Sequence, residues 1–329
     1  MKQDLKTFCR KSILFLFILA LILLPLNLMY IKLIQHQKIE YHKGLLYQEE
    51  INNFENKEID FAFFGSSHAS KSIHPAYITG SYNFALNHGT YVETYYKLKN
   101  AVEKDDLKIN HIVLELDLHD FSEKYNKPKE IFRNLEISQE YATLREIAEI
   151  REESWSSVVI QRYFPILGNA PDLIEYVKDK PTFTPTYFGG EISEGDFSQA
   201  ENKTFIAYQR YKLHFDKDSA KLSSISILYL IKTLQYAQEH NIMVIFIRYP
   251  ITTEFDEITQ KNVPTEKYYS TVFSYINKTV GEDYAVLDYH DLFFDKPELF
   301  YDPDHLNHIG AEIFSKKVAD DLTKSAGKE

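Results

Sequence analysis

The chain has one cysteine, Cys9, among 329 residues, so no intrachain disulfide can form. Cys9 also precedes the apolar run instead of following it, which excludes a lipoprotein cleavage box. A basic stripe is missing too. The net charge is −11, and residues 1–11 carry Lys2, Lys6, Arg10 and Lys11 against Asp4, so the remainder stands at −14. A body this acidic has no patch with which to neutralise phosphates, which argues against nucleic acid as a partner. No glycine-serine or proline-rich linker marks a boundary, although the length suffices for one large domain with extras or for two small ones.

Charge is absent altogether from Ser12 to Ile31. About 20 residues at 1.5 Å rise cross the roughly 30 Å hydrocarbon core of a bilayer. A cleavable signal peptide would have a shorter apolar region ending in small residues, whereas this one ends in Leu-Asn-Leu-Met-Tyr-Ile. The cationic flank predicts a cytoplasmic tail over 1–11, an uncleaved anchor over 12–31 kinked near Pro25, and a body on the outer side. The lipid bilayer is therefore one expected partner. A polar helical neck over 32–57 and an extracytoplasmic domain over 58–329 complete the expected organisation.

Tyrosine (24) and phenylalanine (23) are abundant, as suits packed sheets or carbohydrate-facing grooves. Residues 59–65, 82–86, 112–118, 242–248 and 285–289 read as strands. Residues 90–104, 221–240, about 264–279 and a closing stretch from near Gly310 read as helices. Strands alternating with helices predict an α/β fold, a three-layer α/β/α arrangement around a central five-stranded parallel sheet. Right-handed crossovers would gather the strand C-termini on one edge, where ligands bind in such folds. The stretch 121–220 breaks the rhythm, with a charged helical pattern over 128–153 and a loop-like region over 180–205. It reads as an insertion, either a lid over the site or a surface excursion.

Two segments carry chemistry. Gly65-Ser66-Ser67-His68 follows the first strand, where a glycine permits a sharp turn and the next amides can face a developing oxyanion. Taken alone, such a segment is more often a strand-ending turn with incidental serines. Asp302-Pro-Asp-His305 can raise an aspartate and a histidine from one turn, His305 as general base toward Ser67 and Asp302 orienting the ring. Taken alone, it is a solvated loop before a helix capped by Asn307. Asp302, Asp304, His305 and His308 also form an oxygen/nitrogen set of the kind that binds zinc or manganese. His68 and His88 flank the expected pocket and are candidate substrate contacts, as is Arg248 at the end of the fourth strand, placed to meet an anionic polymer.

Four blocks together resemble the SGNH/GDSL hydrolase superfamily across residues 59–320: Phe63-Phe-Gly-Ser-Ser67, Tyr82-Asn-Phe-Ala-Leu-Asn-His-Gly89, Val113-Leu-Glu-Leu-Asp117, and Asp302-Pro-Asp-His-Leu-Asn307 with Gly310-Ala311. The resemblance implies a flavodoxin-like fold, Ser67, His305 and Asp302 as the catalytic residues, and an oxyanion hole from the amides of Ser67 and Gly89. It implies no cofactor. The aspartate usual before the nucleophile is Ser66 here. The oxyanion-binding asparagine of the third block has no counterpart; Asp117, His119 and Asp120 stand there, which leaves His119 as the substitute donor. Gly-Ser-Ser variants occur in the membrane-anchored, envelope-acting branch of the superfamily, which an N-anchored, outward-facing domain resembles. That implies acyl transfer to, or ester hydrolysis of, a cell-envelope glycopolymer such as a polysaccharide or teichoic acid, beside a multispanning membrane O-acyltransferase. A catalytically inactive scaffold of an envelope acylation complex is the alternative.

Overall fold

The computed structural model describes residues 2–35, 57–133, 135–167, 190–191, 193–215, 221–281 and 284–326. The chain divides into two compact units, one formed by residues 1–42, 134–149 and 153–184, the other by 43–133, 150–152 and 185–329. Most of the expected neck, 36–56, lies outside the described residues, as does the stretch 168–189.

In the first unit, helix α1 (Lys2–Tyr30) runs on into a π-helical turn at Ile31–Gln35. Its segment Lys6–Leu33 is long and apolar enough to cross a membrane. The helix starts well before the uncharged run, because Leu5, Lys6, Phe8 and Arg10 are compatible with helix and nothing caps the chain at Ser12. The charged pattern over 128–153 gives only short helices, α4 (Leu135–Ser138) and α5 (Leu144–Ile150), followed by α6 (Trp155–Tyr163).

The second unit is α/β, built on a five-stranded parallel sheet. Its strands are β1 (Glu58–Phe64), β2 (Ser81–Asn83), β3 (Lys108–Glu115), β4 (Met243–Arg248) and β5 (Ala285–Asp288), in the order β2-β1-β3-β4-β5. The register sets Phe63 beside Val113, and Val113 beside Ile245. The strand order reverses between β1 and β3, so the loops after these two strands diverge and leave a crevice at their C-terminal ends.

Alternation along the strands divides the core. Phe63, Val113, Ile245 and Ile247 join one buried cluster with Phe314 and Val318 of the closing helix α11 (His308–Ala326). On the other side Phe246 meets Phe273 of α10 (Thr265–Thr279) edge-on at 6.4 Å. Helix α3 (Tyr91–Glu103) opens on a capping box between Thr90 and Glu93 and packs on α8 (Ser224–Glu239).

A short helix, α2 (Ser67–Ser72), follows β1 directly. Two further helices and a hairpin stand outside the elements read from the sequence. Helix α7 (Lys203–His214), capped by Asn202, occupies the end of the stretch expected to be an insertion. Helix α9 (Thr253–Asn262) follows β4 with Thr252 as its cap. Strands β6 (Phe300–Asp302) and β7 (His305–Leu306) form a small antiparallel hairpin.

Candidate functional site

The turn between β1 and α2 is tied from below by a buried carboxylate. Glu115, the last residue of β3, accepts the Ser66 amide at 2.7 Å, the Ser66 hydroxyl at 2.6 Å and the Ala69 amide at 3.3 Å. Ser66 in turn caps α2, its Oγ accepting the His68 amide. Gly65 has to be glycine because a β-carbon there would overlap the Glu115 carboxylate. Burial and the neighbouring Asp117 push Glu115 up to about 7. The result is a rigid turn with Ser67 as the first residue of α2.

Ser67 Oγ lies 2.8 Å from His305 Nε2, and His305 Nδ1 lies 2.9 Å from both oxygens of Asp302. Asp302 and His305 are paired partners in the β6–β7 hairpin. Thr252, at the start of α9, donates its amide and hydroxyl to the Pro303 carbonyl and so pins the hairpin's turn. With Asp302 accepting from Nδ1–H, the free lone pair of the ring is on Nε2 and faces the serine hydroxyl. Burial holds His305 below its ordinary 6.5, so the ring is neutral at pH 7. The arrangement can take a proton from Ser67 and stabilise the resulting imidazolium.

A second tier of charge sits under this line. Asp304 is buried and accepts Arg210 through both oxygens, at 2.7 and 3.0 Å, together with His214 at 2.9 Å and His68 at 3.3 Å. Burial opposes its ionisation, but His305, Arg210 and the two other imidazoles hold it well below the usual carboxylate range. His68 bridges to Asp117 at 2.6 Å. Burial works against its charge too, yet its bonds to Asp117 and Asp304 raise it well above 6.5. His214 goes the other way, down to about 4, through burial. One imidazole favoured in its charged form, His68, thus lies beneath the serine beside His214, which favours the neutral form.

Among the described residues, three groups have metal-ligating side chains: His68, Glu115, Asp117 and His119; His68, His214 and Asp304; Asp302, Asp304 and His305. Two ligands about 2.1 Å from a tetrahedral zinc stand roughly 3.4 Å apart. The closest pair in each group is 2.6, 2.9 and 2.9 Å apart, the spacing of a shared proton. His308, the fourth ligand of the expected set, is exposed at the start of α11 and belongs to none of the groups.

A cavity of about 600 Å³ opens over Ser67 and His305. Its wall carries five cations, Lys71, Lys124, Lys127, Arg133 and Arg210, against Glu130. His88 lines it as expected, 3.5 Å from Arg133.

Other expected contacts lie elsewhere. His68 is buried between Asp117 and Asp304. His119 is buried against Ser66 Oγ at 3.0 Å and so does not serve as the substitute donor. Arg248 pairs with Asp288, its register neighbour on β5, at 2.6 Å and covers the Tyr269 ring. A strand-edge arginine with a carboxylate beside it is paired there and does not line the cavity. The Gly89 amide is spent on the Leu86 carbonyl at 2.8 Å, and a β-carbon at Gly89 would overlap the Gly65 carbonyl. Gly89 therefore permits close packing under the turn and offers no free donor. The Ser67 amide has no hydrogen-bond partner among the described residues.

The sequence reading passes over Arg210, His214 and the lysines of the wall. One signal for the first two is present: they stand four apart on a helical pattern behind an asparagine cap. Compared with known proteins, the chain matches no family model and no curated protein.

Proposed function

We propose that the chain is a membrane-anchored serine acyltransferase or esterase acting on an anionic cell-envelope polymer. In this reading its α/β unit is a three-layer, SGNH-type domain held outside the membrane, and it works beside a multispanning membrane O-acyltransferase. The observation that carries the reading is the unbroken line Ser67 Oγ, His305, Asp302, with separations of 2.8 and 2.9 Å. Ser67 Oγ attacks the ester carbonyl while its proton passes to His305 Nε2. The tetrahedral intermediate collapses, the imidazolium returns the proton to the departing alcohol, and an acyl-serine remains. A sugar or polyol hydroxyl, or water, is then deprotonated by His305 and resolves the ester. In this reading the Ser67 amide donates to the oxyanion, and the cations of the wall add a positive field.

The same cations support an anionic substrate class, phosphate- or carboxylate-bearing, in a chain whose net charge is otherwise −11. One observation favours a second reading, a scaffold without catalysis: the Gly89 amide is already hydrogen-bonded. Incubation with an activated aryl acetate separates the two. The first expects a burst of aryl alcohol and one acetyl group on the peptide containing Ser67. A folded protein that shows neither burst nor adduct would leave the scaffold.

A further inference from the structure

Helix α1 carries a polar side chain that is shielded from solvent. Asn27 is 4% exposed and lies four positions before Ile31, where the uncharged run ends. That is about 6 Å along the helix. An amide at this level of an apolar span must find its partners in protein. Its Nδ2 donates to the Tyr163 carbonyl at 2.8 Å, and its Oδ1 accepts the Ile166 amide at 3.4 Å. Tyr30, Leu33 and Ile166 form a small apolar cluster alongside. The end of α6 and the residues after it are thereby held level with the end of α1.

Val158 and Ile166 of that segment are buried, whereas several of its other apolar side chains face outward. Trp155 is 61% exposed, Ile160 49%, Tyr163 58% and Leu167 57%. Leu28 of α1 is exposed as well. We infer that residues 155–167 lie in the headgroup–acyl boundary of the bilayer that α1 crosses, as a second membrane contact. The inference rests on reading α1 as membrane-spanning, and on nothing proposed for Ser67. Tryptophan and tyrosine favour this boundary because their rings are apolar at one end and polar at the other. The Arg162 guanidinium, 5.9 Å from the Tyr163 ring, meets phosphates at the same level. Glu152 and Glu153 adjoin the segment, so attachment is by apolar burial and does not require anionic lipid.

Trp155 is the only tryptophan in the chain, which makes it a native probe. The full chain is reconstituted in phosphatidylcholine vesicles containing lipids brominated at shallow or at deep acyl positions. For a helix lying roughly 5–10 Å into the boundary, Trp155 emission shifts to the blue, resists aqueous iodide and is quenched more by shallow bromines than by deep ones. Ile160→Glu reverses the shift and restores iodide quenching. Iodide-accessible Trp155 that bromolipids do not quench, in vesicles retaining the protein through an alkaline carbonate wash, overturns the inference. Release of the protein by the wash overturns the spanning reading, and the inference with it. Shielding that arises only when membrane extract is added assigns the face to a protein partner and overturns it as well.

Discussion

Asp302 and Asp304 are two residues apart and stand in opposite environments. Asp302 is half-buried and meets His305, whereas Asp304 is fully buried beneath Arg210, His68 and His214. Asp302→Asn is therefore expected to cut the acylation rate on the order of 10⁴-fold, as loss of an orienting carboxylate does, with little change in urea stability. Asp304→Asn takes the bidentate carboxylate from Arg210 and one of two carboxylates from His68, and is expected to cost about 3–5 kcal/mol of stability, read from urea unfolding. Equal effects of the two variants on rate would remove the division of roles. His305 adds a pH dependence with a definite sign. Its proton is lost below the ordinary 6.5, so the proposed acylation is expected to be flat at neutral pH and to fall only as pH drops through that lowered value. A limb centred above 6.5 would contradict this.

At the scale of elements, the β1–α2 turn is the most constrained part of the site. Gly65→Ala drives a β-carbon into the Glu115 carboxylate. It is expected to cost about 1–3 kcal/mol and to lower the acylation rate through displacement of Ser67, measured by thermal melting alongside kinetics. A stable, fully active alanine variant would remove Glu115 from the account of this turn. The sheet was legible because its strands are apolar runs. Where polarity interrupts a run, legibility stops. The apolar pattern starts β3 at residue 112, yet the ladder begins at Lys108, because Lys108 and Asn110 pair with Glu58 across the neighbouring strand. Ser67, Asp302 and His305 could be read because each follows a strand-like run on the expected edge. The direction in which His68 and His119 point is set by carboxylates 49 and 1 to 4 positions away, and residue type alone does not give it. Arg210 lay hidden for a related reason: its partner Asp304 is 94 residues on.

Over the whole molecule, charge is arranged against its own total. The chain carries −11, while the cavity above Ser67 is lined by lysines and arginines. With a screening length of about 8 Å at physiological salt, a ligand inside the cavity is governed by the wall more than by the distant acidic surface. Arg133→Glu is expected to raise KM for an anionic ester roughly fivefold, about 1 kcal/mol for an exposed pair, while leaving a neutral ester unchanged. An equal change for both esters would mean that the wall does not read charge. The first unit sets a second limit on what sequence can show. A hydropathy reading finds the apolar helix, but the contact between Asn27 and Tyr163 spans 136 residues and emerges only from the fold.

The central claim, that Ser67 is a nucleophile activated by His305, is tested most directly by labelling with a fluorophosphonate. The wild-type protein is expected to take up one phosphonyl group on the peptide containing Ser67, and Ser67→Ala and His305→Ala, folded by circular dichroism, to take up none. Wild-type protein that is folded and stays unlabelled, or a Ser67→Ala variant that labels as well as wild type, would contradict it.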